Sequence, residues 1–161
     1  RPDPALPCQL RFDRLTLLFE EHSITLNYPD HIPGGAMGVS RKGAVEILAG
    51  LDPAESFHVH VHELAHELLH RGEEQRKHST LTSRETEAEA VAYVVCSGVG
   101  LDCSTAASDY IQLYRGNRDA LVESLHAIRI AGAAILGSLL SPGNNQPSIH
   151  RGPTQLRPHK T

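Results

Sequence analysis

The chain has no tryptophan, one methionine and only 4% aromatic residues, so it lacks the stacked aromatic platforms that grip single-stranded nucleic acid. It lacks a basic excess too: the formal charge is −4, which argues against a broad nucleic-acid-binding surface. Cysteine is sparse and odd in number. Cys8, Cys96 and Cys103 fall in no C-x-x-C spacing, which excludes a disulfide scaffold and leaves a Cys96–Cys103 pair as a minor alternative to free thiols. With no signal-peptide pattern at the start, a reducing cytoplasm is the expected compartment. No uninterrupted apolar run reaches the ~18 residues of a membrane span. The longest, Ile128 to Leu140, follows directly on from the segment that ends His126-Ala127, includes Arg129 and reads as a buried helix.

What remains is an ordinary globular composition in 161 residues, enough for one domain with a core. The opening RPDPALP reads as an extended lead-in. From Leu10 to His22, Leu15, Leu18 and Phe19 share a helical face. Three short strands are expected at Ser23–Tyr28, Ala36–Ser40 and Ala44–Leu48, the last two joined by a tight turn at Arg41-Lys42-Gly43. They predict a small antiparallel sheet. Asp52, Pro53 and Glu55 mark a helix start, and that helix should run to His70 and stop at Gly72. A polar loop follows, then helices over Ser83–Ser97, Ser104–Arg115, and from an Asn117 cap to Leu140. The domain is therefore expected over residues 1–140, with a disordered Pro- and Gly-rich tail over 141–161.

The chemistry concentrates in FHVHVHELAHELLH, Phe57 to His70, where H-E-x-x-H occurs twice: His62-Glu63-Leu64-Ala65-His66 and His66-Glu67-Leu68-Leu69-His70. Histidines four apart on a helix share a face and can grip one ion, while the intervening glutamate can act as a base on water. The first copy is favoured. Val61, Leu64, Ala65, Leu68 and Leu69 form an apolar face opposite His62 and His66, whereas the second copy ends beside Arg71 where the helix should fray. His58 and His60 are expected on the solvent side, and His70 at the helix C-terminus or as a hydrogen-bonding neighbour of the site.

A catalytic zinc needs a third protein ligand. The segment SRETEAEAVAYVV supplies Glu85, Glu87 and Glu89. One arrangement puts Glu85 on the metal and Glu89 one turn later, steadying a ligand histidine. The rival puts Glu89 on the metal and leaves Glu85 in a Thr82-x-x-Glu85 capping box.

HELAHELLH followed by RETEAEAVAYVV resembles the ImmA/IrrE family of zinc metallo-endopeptidases, in particular the peptidase domain of ArdC-like antirestriction proteins. The later GLDCSTAASDYIQLY extends the likeness, which covers roughly Ser56 to Leu140. The resemblance implies an α+β, small zincin-like (gluzincin) domain, with a short sheet packed on an active-site helix and further helices C-terminal. It implies Zn2+ held by His62, His66 and Glu85, with Glu63 as general base. Glu89 stands where the family carries Asn or Asp. The implied substrate is a protein or peptide, such as a DNA-binding repressor, with no membrane partner and no direct nucleic-acid contact. On this reading Ala44–Leu48 would be an edge strand that binds the substrate, and Tyr93, Tyr110, Tyr114 or His70 would stabilise the oxyanion. The alternatives are a non-catalytic zinc-containing binding module of an antirestriction or DNA-processing system, and a zinc hydrolase acting on something other than peptides.

Overall fold

The computed structural model describes residues 8–102 and 117–141. The lead-in, Cys103, the helix expected over Ser104–Arg115 with Tyr110 and Tyr114, and the tail beyond Ser141 lie outside the described residues. The fold is mixed α+β, mostly helical, with one three-stranded sheet.

Helix α1, Cys8–Glu21, buries Leu15, Leu18 and Phe19, the face its periodicity announces. It ends where Ser23 takes a left-handed φ of 54° and the Ile24 amide donates to Phe19 O, which turns the chain into β1, Thr25–Asn27. A connection containing a short 3-10 turn, Pro33–Gly35, and the buried Ile32 leads to β2, Gly38–Ser40. Strand β3, Ala44–Ile47, follows at once. Lys42 and Gly43 both have positive φ, 42° and 96°, so β2 and β3 close through the turn type that matches strand twist.

The sheet is not the antiparallel one expected. Its order is β1-β3-β2, with β2 antiparallel to β3 but β1 parallel to it. Val45 and Ile47 explain the order: both are fully buried, which suits a central strand, and the β1–β2 connection is long enough to step across it. Thus β3 is the middle strand and not an edge, and β2 takes the edge role.

Helix α2, Pro53–His70, starts as its sequence predicts: Asp52 Oδ1 accepts from the Ala54 and Glu55 amides, with Pro53 in the first turn. It buries Phe57, Val61, Leu64 and Ala65 in the common core, with Leu68 and Leu69 packed at its margin. Gly72 is not a left-handed stop. Its φ is −74°, and it starts a short helix α3, Glu73–Lys77, in the stretch read as loop. Helix α4, Leu81–Gly98, lies against α2 and buries Ala88, Val91, Ala92, Val95 and Cys96. Cys96 is fully buried, its Sγ 4.0 Å from His58 Nδ1. Helix α5, Arg118–Leu140, begins at Asn117, whose side chain accepts from the Ala120 amide. Only one face of α5 is buried, through Ile128, Ala131, Ile135 and Leu139; Val122, Leu125, Ile130 and Leu140 are exposed. By length and composition alone this helix could cross a membrane.

Candidate metal centre

Helices α2 and α4 face one another along a ladder. His58, His62, His66 and His70 recur every fourth residue and so share one face of α2. Glu85, Glu87 and Glu89 meet them from α4. Glu85 reaches both histidines of the first motif: its carboxylate oxygens lie 3.3 Å from His62 Nε2 and 3.1 Å from His66 Nε2. The two Nε2 atoms are 3.1 Å apart. A tetrahedral site with bonds of ~2.0–2.1 Å has donor–donor edges of about 3.3–3.4 Å. The two imidazole nitrogens and the Glu85 carboxylate are therefore spaced much as a small divalent cation requires, and His62, His66 and Glu85 form a group able to hold a metal ion.

Charge points the same way. Burial opposes protonation of His62, but hydrogen bonds to Glu85 and Glu89 and the charges of Glu63 and Glu85 outweigh it and hold the imidazole at about 9. Glu85 in turn is held far below the ordinary carboxylate range by hydrogen bonds from His62 and His66. The group thus demands positive charge at its centre. A divalent cation would meet that demand and displace the His62 proton.

Around these three, other side chains fix orientation. Glu89 Oε2 lies 3.0 Å from His62 Nδ1, so the Nε2 lone pair is left for the centre. His66 Nδ1 lies 3.2 Å from His70 Nδ1, and His70 Nε2 lies 2.8 Å from Glu87 Oε2. Ser124 Oγ of α5 donates to the other oxygen of Glu87 at 2.6 Å. His70, the last residue of α2, is not frayed and takes the expected place of a hydrogen-bonding neighbour of the site. It is buried, and it links His66 to a carboxylate and a hydroxyl on two further helices. Glu87 and Ser124 went unassigned at the sequence level, where Glu87 was only one of three acids and Ser124 carried no signal.

His58 and His60 are not solvent-facing either. His58 pairs with Glu89 at 3.2 Å, and His58, His62 and Glu89 make a second group with metal-ligating spacing one turn away. His60 is 2% exposed, lies 2.6 Å from Ser56 O and 3.0 Å from the Tyr28 hydroxyl, and packs edge-on against Phe12 and Phe19. Burial pulls its pKa below the usual imidazole value, partly offset by the Ser56 bond.

The two motif glutamates have different surroundings. Glu67 is pinned to the hairpin: it accepts from Ser40 Oγ and, at 2.7 Å, from the Gly43 amide. Glu63 instead lines an open cleft of about 420 Å3 together with Gly38, Val39, Ser40, His66 and Glu85. Burial pushes its carboxyl up to about 7; the His62 charge opposes the rise and the Glu85 and Glu67 charges add to it. A carboxyl titrating near neutrality beside a metal-ligating group can exchange a proton in either direction. The capping-box rival for Glu85 is overturned, because the α4 cap is Thr80, which exchanges hydrogen bonds with Ser83. Tyr93 is exposed and does not line the cleft, whereas His70 does.

Compared with protein-family models, curated proteins and solved structures, the chain matches none.

Proposed function

We propose that the protein is a zinc-dependent endopeptidase of a small zincin-like fold, related to the ImmA/IrrE family, acting on a regulatory, repressor-like protein. The observation that carries this reading is the convergence of His62, His66 and Glu85 at a cleft lined by His66, Glu85 and Glu63, the last with its carboxyl raised to about 7. His62, His66 and Glu85 would hold Zn2+; when bound, it would polarise the scissile carbonyl and bring the pKa of water down toward ~7. Glu63 accepts a proton from the attacking water and returns it to the departing amine, so one water adds across the peptide bond. Glu89 and the His70–Glu87 pair keep the two imidazoles turned toward the centre. Strand β2 is an edge of the sheet, and its residues Gly38 to Ser40 line the same cleft, so an extended peptide can be held there by strand addition.

The test is Glu63→Gln, which keeps shape and removes the base. The variant should fold, retain zinc and lose turnover by about 10²–10⁴-fold on a randomised peptide pool or a repressor. If the wild type cuts nothing and matches the variant in every binding assay, the peptidase reading is replaced by that of a zinc-containing binding module.

A further inference from the structure

The cleft has a second chemical feature that peptide hydrolysis as such does not use. Arg76, at the end of α3, and Arg84, in the first turns of α4, both line it, with Leu81 between them at 67% exposure. Among the described residues neither guanidinium pairs with a carboxylate. Each is anchored by oxygen atoms of the chain instead: Arg76 Nε donates to His70 O at 2.9 Å, and Arg84 Nη1 donates to Ser79 O at 2.9 Å and to Ser79 Oγ at 3.2 Å. The acids close by are engaged elsewhere. Glu73 pairs with Lys42, Glu74 with Lys77, and Glu85 faces the two histidines.

A guanidinium presents N–H donors in a planar fork that matches a carboxylate. Anchoring one donor to the backbone fixes the plane and leaves the others for a ligand. Two such groups beside an exposed leucine, in the cleft that β2 borders, make a receptor for an acidic side chain carried on an aliphatic stem. We propose that Arg76 and Arg84 form a specificity subsite for an Asp or Glu side chain of the bound peptide, near the scissile bond. This rests on the peptidase reading for its substrate class, and the experiment separates the two.

Two peptide pools are prepared that differ only in carrying Glu or Gln at one fixed position, moved stepwise along the sequence. Cleavage by the zinc-loaded wild type is measured as kcat/KM. Binding is measured by fluorescence anisotropy on the zinc-loaded Glu63→Gln protein, so it does not depend on turnover. At one position the Glu pool should be favoured on the order of 10–100-fold, as expected for a charge-assisted hydrogen bond. The preference should shrink with added salt, and Arg76→Gln and Arg84→Gln should each reduce it. Arg84→Lys, which keeps charge and loses the fork, should fall between. Circular dichroism and zinc content check that each variant is folded; Arg76→Gln lies on the short α3 and leaves the α4 cap untouched. Cleavage with no preference for Glu at any position, a preference unaltered in the arginine variants, or no binding of either pool overturns the subsite. Preferential binding of the Glu pool without cleavage keeps the subsite and removes the peptidase reading.

Discussion

A Cβ atom placed on Gly38 would stand 2.7 Å from Glu63 Oε1 and 2.7 Å from Val59 Cγ1. The edge strand therefore approaches α2 as closely as it does because residue 38 has no side chain. Gly38→Ala must displace either β2 or the Glu63 carboxylate. Since Glu63 makes no contact with the metal-ligating atoms in the proposed mechanism, metal content should survive while turnover drops, on the order of 10²-fold for a misplaced base. Inductively coupled plasma analysis of the purified variant, alongside peptide cleavage rates, checks both halves. Loss of zinc in a folded Gly38→Ala protein would show that Gly38 supports the centre itself.

Glu85 and Glu89 occupy different places around His62, and their substitutions should differ in kind. Glu85→Gln removes a donor that lies within 3.3 Å of both imidazoles, so zinc affinity should collapse. Glu89→Gln removes the partner of His62 Nδ1 and should cost only about 10–100-fold. Competition against a coloured chelator ranks the two. Equal losses would place Glu89 among the ligands.

The frame of the doubled motif gives a third expectation. His62→Ala should abolish stoichiometric zinc binding. His70→Ala should keep the ion but weaken it by about 10–100-fold, because His70 contacts His66 through Nδ1 and not the centre. Glu87→Gln should reproduce part of the His70 effect, since Glu87 Oε2 is what His70 Nε2 reaches. Full zinc in a folded His62→Ala protein would move the site to the second motif.

The starts of α2 and α5 were legible because their signals are local. Asp52-Pro53 before an apolar repeat, and Asn117 before another, each fix a start by hydrogen bonds that residues within one turn supply. The pairing of His62 and His66 was legible for the same reason. Which acid meets which histidine was only partly so: Glu85, Glu87 and Glu89 all stand on α4, and the helix crossing decides that Glu87 turns to His70 and Ser124 while its neighbours face His62. The strand order was illegible. Runs of three and four residues carry burial patterns but not partner choice, so the parallel register Thr25↔Ala44 depends on the path of the connection and on the burial of Val45 and Ile47. His60 was misread because histidine is only intermediate in its tendency to be buried, and its burial here depends on Ser56 O, on Tyr28 from a distant strand end and on Phe12 and Phe19 of α1.

The raised Glu63 carboxyl makes the metal-free protein sensitive to pH. Its pKa is about 7 in the fold against 4.5 for the unperturbed group, so the native state binds this proton more tightly than the unfolded chain does. The stabilisation is complete below about 4.5 and is lost as pH rises through about 7. His62, held at about 9, contributes in the same sense at higher pH. Chelator-treated protein should therefore lose stability between pH 5 and 8 through Glu63, by an amount on the order of 1–3 kcal/mol. Glu63→Gln cannot ionise, so it should melt at a higher temperature than the wild type at pH 8 and at a similar one at pH 5. Zinc should abolish the difference, because a cation at the centre favours the ionised carboxylate and removes the reason for the proton to bind. Thermal melts of both proteins at pH 5 and 8, with and without zinc, give the comparison. Parallel pH profiles for the two metal-free proteins would mean that Glu63 ionises freely in the fold and has no raised pKa to put to use as a base.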